Sequence, residues 1–334
     1  MRRPRQVASV LLALVVSLAA AAALVAFAVW PATGDGTAST TTPQTSSTTT
    51  PSTSTTSTST TSTSTTSTST TITPPPPVLV FEREVNGNID VYSRNNRTGV
   101  ETRLTQHPAE DSRPGVNFRA GGRIVFQSHR DGNFEIYVMD SDGSGERRLT
   151  SDPGEDRDPD WSPDERHIVF VSTRDGNAEL YIMAADGSDV RRLTNSPGQD
   201  DGPAWASNVR LRGGTDIAFF SARERNIDIY VVKPDGSDLR RITDDPGDDF
   251  SPAWSPDGSR IAFVSDRDGD EEIYVMNADG SGQTRLTQSL GPDQAPSWTN
   301  DGKRITFVSE RDGEARQYSM NSDGTGEVEI GRVP

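Results

Sequence analysis

Cysteine is absent from the chain, which excludes disulfide staples, thiolate metal sites and thiol redox chemistry. Histidine is nearly absent: His107, His129 and His167 are the only three. They fall at unlike places in the repeat pattern of the chain, so nothing in its order brings them together as a metal set or an acid–base pair. Each reads as a solvated surface residue. A nucleophile elbow is missing too. Segments such as Asp266-Arg267-Asp268-Gly269-Asp270 lack the ligand spacing and terminal Glu of an EF-hand, and read as turns. No cofactor, metal ligand or catalytic residue is therefore expected. Basic residues are scarce relative to acidic ones, 33 against 49, for a net charge of −16. From Val78 onward the acidic excess is 18, which disfavours nucleic acid and anionic lipid surfaces and favours a basic or cationic partner.

Long apolar runs are lacking as well, with one exception. Val7 to Trp30 is uncharged and comes after Arg2, Arg3 and Arg5; it is long enough to cross a hydrocarbon core, which needs about 20 residues. The basic flank predicts a cytoplasmic N-terminus. Residues 1–30 are thus an uncleaved anchor by length, or a signal peptide cut after Ala26-Phe27-Ala28, an acceptable small-x-small site. Both readings put the rest of the chain outside the cytoplasm, either tethered to the membrane or released as a secreted or periplasmic protein. Residues 31–73 are dominated by Ser, Thr and Pro, too poor in apolar surface to offset the entropy of ordering, and read as a disordered tether.

Residues 74–334 are repetitive. Phe81, Phe126, Phe170, Phe219, Phe263 and Phe307 are each followed eleven positions later by a Tyr: Tyr92, Tyr137, Tyr181, Tyr230, Tyr274 and Tyr318. Successive pairs are 44 or 45 residues apart, with one interval of 49, a period that fits four-stranded propeller blades. Each Phe and Tyr sits in a β-branched run, such as Ile168-Val169-Phe170-Val171, and Asp-Gly turns come after the Tyr runs, as at Asp279-Gly280. A short Arg-Leu-Thr segment comes next. A fourth strand carries Trp161, Trp205, Trp254 or Trp298, with Phe118 near that place in the second repeat. The expected fold is all-β: a six-bladed β-propeller of four-stranded antiparallel blades, with the Trp strand innermost. Thr71-Ile72-Thr73-Pro74 aligns with Asp160-Trp161-Ser162-Pro163, so Thr71 to Thr73 is expected to form the innermost strand of the first blade.

The stretch Pro252-Ala253-Trp254-Ser255-Pro256-Asp257-Gly258-Ser259-Arg260-Ile261-Ala262-Phe263-Val264-Ser265-Asp266-Arg267-Asp268-Gly269, together with Ile273-Tyr274-Val275-Met276-Asn277-Ala278-Asp279-Gly280, resembles the propeller repeat of the TolB family. The resemblance covers residues 78–334. It implies a channel that receives peptide segments of partner proteins. TolB proteins carry an α/β domain before the propeller, where this chain has an apolar run and a Ser/Thr tether. The same repeat occurs in propellers fused to hydrolases, so it specifies fold more than function.

One constellation stands out from the repeat. An Asp lies three residues before the Pro that opens each Trp strand: Asp111, Asp156, Asp200, Asp249 and Asp293. An Arg lies four residues after the repeat Phe: Arg130, Arg174, Arg223, Arg267 and Arg311. Strand direction puts both sets at one mouth of the channel. In the first repeat both are missing, with Val85 and Ser67 in their places. Two roles are open to them: pairs that fix the blades, or a charged mouth that binds an exported protein or peptide segment, basic in character. The expected function is a binding or scaffold module of the cell envelope without catalysis. A surface lyase or hydrolase acting on cell-surface polymer, and a purely structural spacer, are the competing classes.

Overall fold

The computed structural model describes residues 78–117, 122–206 and 216–332. The N-terminal apolar run, the Ser/Thr tract and the expected strand at Thr71 to Thr73 lie outside the described residues. Among the described residues no helix is long and apolar enough to cross a membrane.

Six antiparallel sheets succeed one another along the chain. Blade 1 has β1 (Val78–Val85), β2 (Asn88–Asn95) and β3 (Glu101–Arg103), and blade 2 has β4 (Asp111–Asn117), β5 (Arg123–Ser128), β6 (Glu135–Asp140) and β7 (Arg147–Arg148). Blade 3 comprises β8 (Asp156–Trp161), β9 (His167–Ser172), β10 (Glu179–Ala184) and β11 (Arg191–Arg192). Blade 4 comprises β12 (Asp200–Trp205), β13 (Ile217–Ser221), β14 (Asp228–Val232) and β15 (Arg240–Arg241). In blade 5 these are β16 (Asp249–Trp254), β17 (Arg260–Ser265), β18 (Glu272–Asn277) and β19 (Thr284–Arg285), and in blade 6 β20 (Asp293–Trp298), β21 (Arg304–Ser309), β22 (Arg316–Asn321) and β23 (Val328–Arg332). Blade 1 is three-stranded among the described residues, and the other sheets have four strands.

The eleven-residue spacing is a cross-strand register. Phe126 stands opposite Tyr137, Phe170 opposite Tyr181 and Phe263 opposite Tyr274. In all six blades the ring centroids lie 5.6 to 5.9 Å apart. Trp161, Trp205, Trp254 and Trp298 face Ile168, Ile217, Ile261 and Ile305. In blade 2 the residue opposite Ile124 is Val116. Val116 therefore holds the Trp register position, and Phe118 lies outside the described residues.

The core is a series of seams between blades. Val125, Ile136 and Val138 of blade 2 meet Trp161, Phe170 and Tyr181 of blade 3. Val169, Leu180 and Ile182 meet Trp205, Phe219 and Tyr230, and Ala218, Ile229 and Val231 meet Trp254, Phe263 and Tyr274. Burying each such aromatic contributes about 1.5–3 kcal/mol, which lets a hydrophilic chain assemble a core blade by blade. Blade 6 departs from this pattern. Where blade 5 presents Ala262, Val264, Ile273 and Val275 to its neighbour, blade 6 carries Thr306, Val308, Gln317 and Ser319 at the same register positions, all buried.

Each described innermost strand contains one extra residue. The register slips between Ser112 and Gly115, Arg157 and Asp160, Asp201 and Ala204, Phe250 and Ala253, and Gln294 and Ser297. The residue before each strand Pro, namely Arg113, Asp158, Gly202, Ser251 and Ala295, takes φ between 50° and 56°. A non-glycine residue in that left-handed region costs roughly 1–2 kcal/mol. Such bulges re-aim side chains at the rims of closed sheets, and here they lie on the strands around the axis.

Candidate binding mouth and channel

With the strands of each blade lettered a to d outward from the innermost, blade 1 having b to d among the described residues, the b-to-c hairpins and the starts of the a strands meet at one end of the blades. His129 N donates to Glu110 O at 2.9 Å, Thr173 N to Glu155 O at 3.0 Å and Glu310 N to Pro292 O at 3.1 Å. This end carries the ten singled-out residues, and the fold brings them together as five pairs. Asp111–Arg130, Asp156–Arg174, Asp200–Arg223 and Asp249–Arg267 are 2.8 to 2.9 Å apart, and Asp293–Arg311 3.4 Å.

These pairs are closed. All five Asp side chains are 0% exposed and the Arg partners only 13 to 22%. Each Arg folds back over its blade's aromatic pair, its guanidinium carbon 4.2 to 4.8 Å from the Tyr ring centre. Its Nε donates to Ser128, Ser172, Ser221, Ser265 or Ser309 at 2.7 to 2.8 Å. Burial pushes the Asp111, Asp156, Asp200 and Asp249 carboxyls above the usual range, against the bonds from Ser and Arg. Blade 1, with Val85 exposed at the Arg place, covers its rings from elsewhere: Arg83 stands 5.0 Å over Phe81 and 5.2 Å over Tyr92.

A second ring of buried pairs escaped the sequence reading. Asp90, Glu135, Glu179, Asp228 and Glu272 lie at or near the starts of their c strands, almost fully buried, and meet Arg103, Arg148, Arg192, Arg241 and Arg285 of the d strands at 2.5 to 2.7 Å. Thr150, Thr194 and Thr287 each donate a further bond to these carboxylates at 2.6 to 2.7 Å. Its signal was present: an acid two residues before the repeat Tyr and an Arg eleven residues after it.

The histidines stay apart. His129 and His167 are exposed, while His107 accepts a bond from Ala109 N at 3.1 Å. Among the described residues no group of three or more His, Cys, Asp or Glu side chains has metal-holding geometry.

The bulged strands build the channel wall, and its two halves differ. From blade 1 to blade 4 it is charged. Arg157 grips both oxygens of Asp201 at 2.7 and 2.6 Å and reaches Asp158 at 2.6 Å, while Arg113 lies 3.4 Å from Asp158. Burial alone would raise Asp158, but Arg113 and Arg157 outweigh it and hold its carboxyl low. Arg113 N donates to Glu82 Oε2 at 2.6 Å, and Asp158 N to Gln127 Oε1 at 2.9 Å, so the bulges are locked to the preceding blade. Glu82, 2% exposed, is pushed up by burial, and its other oxygen has no partner among the described residues. Across the axis the wall is aromatic or neutral: Phe250 meets Phe220 edge-on at 6.4 Å, with Ser251 and Ala295 at the bulges.

This repeat is found in other chains. The sequence profile of the TolB beta propeller domain matches residues 117–211 and 212–331, more than half of the protein. The chain belongs to the TolB beta-propeller family. No curated protein matches it in sequence. Among solved structures, TolB from Acinetobacter baumannii is 20% identical with a TM-score of 0.61, over 73% of this chain and 61% of that one. An oligogalacturonate lyase in complex with manganese is 15% identical, with a TM-score of 0.58 over 76% and 74%. A puromycin-hydrolyzing peptidase from Mycobacterium tuberculosis is 14% identical, with a TM-score of 0.61 over 78% of this chain and 43% of that one. At these identities the likeness is one of fold, shared by TolB and by enzymes of two kinds.

Proposed function

We propose that the chain is an exported, membrane-tethered TolB-type propeller that captures a basic peptide segment of another exported protein, without chemistry of its own. The observation that carries this reading is the charged half of the channel wall. There Glu82, Asp158, Asp160 and Asp201 outnumber Arg113 and Arg157, on a chain of net charge −16. Low-dielectric walls focus such a field and draw in a cation. The Asp–Arg pairs frame the mouth in this reading: sealed and neutralised, they hold its loops in place and leave contact with the partner to the channel strands.

The test is binding of Lys- and Arg-rich peptides against Glu- and Asp-rich ones to the full chain, read by fluorescence anisotropy across ionic strength. Basic peptides are expected to bind, weakening as salt shortens the screening length to about 8 Å near physiological strength. Equal capture of both kinds, or of neither, overturns the reading.

A further inference from the structure

One carboxylate of the channel wall differs from all the others. At the position after the strand Pro the described innermost strands carry Gly115, Asp160, Ala204, Ala253 and Ser297. Only blade 3 has a charge there. Asp160 Oδ1 accepts from Trp161 N of its own strand at 2.9 Å, and Oδ2 from Trp205 N of the next blade at 2.7 Å. Its carboxylate therefore spans the seam between β8 and β12, and Asp160 as a residue is partly exposed where the Asp residues at the strand starts are sealed.

Among the described residues no cation answers it. The charged groups on the strands around it are Asp111 and Arg113 on β4, Arg123 on β5, Asp156, Arg157 and Asp158 on β8, and Asp200 and Asp201 on β12. Arg123 stacks over the Trp161 ring at 4.8 Å, Asp111 pairs with Arg130 and Asp156 with Arg174. Arg113, Arg157, Asp158 and Asp201 are tied to one another, and Asp200 to Arg223. On β9, His167 is exposed at the strand start. Among the described residues none forms an ion pair with Asp160. Burial pushes the Asp160 carboxyl up to about 7, and only its two amide bonds oppose the rise.

Resting on the channel-capture reading, we propose that Asp160 is the anchor for a primary ammonium group of the captured segment, seated between the innermost strands of blades 3 and 4. The geometry selects ammonium over guanidinium. A guanidinium fork needs two parallel lone pairs on one carboxylate edge, but here the two oxygens are drawn to amides on different strands. A compact ammonium needs only one free lone pair. Because the anchor must be ionised to hold a cation, capture strengthens as pH rises through 7. The ionised fraction grows roughly tenfold between pH 6 and pH 8, and apparent affinity tracks the competent fraction.

The amides that bond Asp160 are its own reporters. In the full chain labelled with 15N-tryptophan, the Trp161 and Trp205 backbone signals are expected to titrate together with a midpoint near 7, with Trp254 and Trp298 as internal controls. The probes are acetyl-Gly-Ser-Lys-Ser-Gly-amide, its Nε-acetyl-lysine counterpart, and Gly-Ser-Gly-amide with a free N-terminus. The lysine amine is expected to shift the two reporters about tenfold more tightly at pH 8 than at pH 6, the N-terminal amine only about fourfold because an α-amino group with a pKa near 8 has itself lost about half its charge there, and the acetylated peptide to leave them unmoved; whichever amine binds more tightly at pH 7 identifies the source of the ammonium. Asp160→Asn and Asp160→Ser, the second placing in blade 3 what blade 6 already has, are expected to abolish the shift while the control signals persist. If basic peptides bind wild type and both variants equally, with the same pH dependence, the assignment of Asp160 is wrong although the channel still binds. If no basic peptide binds wild type, both readings fall.

Discussion

Arg316 and Glu329 form a 2.9 Å ion pair across β22 and β23 with the polarity of every other blade reversed. In blades 1 to 5 the acid lies at or near the start of strand c and the Arg on strand d; in blade 6 the c strand opens with Arg316 and Glu329 faces Tyr318. Both charges changed place together, so the two register positions keep an ion pair with its direction reversed. The reversed pair is also the most open, with Glu329 42% exposed against 0% for Glu272.

Replacing Glu272 by Ala strands Arg285 and Thr287 without their shared acceptor. The loss is expected to be about 2–3 kcal/mol, the range for a buried group left unsatisfied. Glu329→Ala acts at an exposed pair and is expected to change stability little. Reversing the buried pair as Glu272→Arg with Arg285→Glu should recover part of what either single change loses. Urea unfolding of the variants measures this, and a double variant no better than the worse single one shows that direction matters after all.

Changing Asp111, Asp156 and Asp293 together to Asn is expected to lower the melting temperature by many degrees and leave peptide capture per folded molecule unchanged. These carboxylates are sealed against Arg130, Arg174 and Arg311, and losing one charge of a buried pair costs about 3–5 kcal/mol. Weakened capture with an unchanged melting temperature would instead make the ring a contact surface.

Asp160 also has a signature in stability. Its carboxyl is raised in the folded protein, so between about pH 4 and pH 7 the folded state holds a proton that the unfolded chain has released. Its contribution to stability therefore falls as pH rises through that window. Asp160→Asn is expected to be more stable than wild type at pH 8 and to lose that advantage at pH 4, as read by melting curves at the two pH values. An advantage equal at both would show that the carboxyl is not raised.

Gly202 is the one bulge residue without a side chain. A Cβ there would come 2.4 Å from Phe220 Cε1, at φ 56°, and Phe220 packs edge-on against Phe250. Gly202→Ala is expected to destabilise by about 1–3 kcal/mol through that clash. Ala295→Gly, at a similar φ of 50°, should be close to neutral. Chemical denaturation distinguishes the two, and equal effects would rule out the ring as the cause.

Ring closure is tested by truncation. With β1 lacking an inner neighbour among the described residues, a chain beginning at residue 70 is expected to melt above one beginning at residue 78, because Thr71 to Thr73 would pair the open strand edge. Equal melting temperatures place closure elsewhere.

Blade number, strand order and the Phe–Tyr partners could be read from the sequence because hairpins are local. An eleven-residue spacing with a tight turn leaves one register that keeps both rings in the same seam, and Phe170 opposite Tyr181 is that register. The Trp-bearing innermost strands were legible as well, but blade 2 has no Trp, and there the pairing puts Val116 opposite Ile124 at the register position that Phe118 was placed near. The sequence also specified which charges belong to the mouth, but not whether they are open. That depends on Arg side chains folding back over rings and closing onto Asp, a packing of three strands that spacing alone does not express. Asp160 is the furthest such case. In the sequence it is only the residue before the Trp of an innermost strand, and only when Trp205 of the next blade brings its amide within 2.7 Å does it become a carboxylate bonded across the seam without an ion-pair partner among the described residues. Local periodicity built the blades; burial and neighbours across the seams, which exist only in the assembled ring, decided the chemistry of each charge.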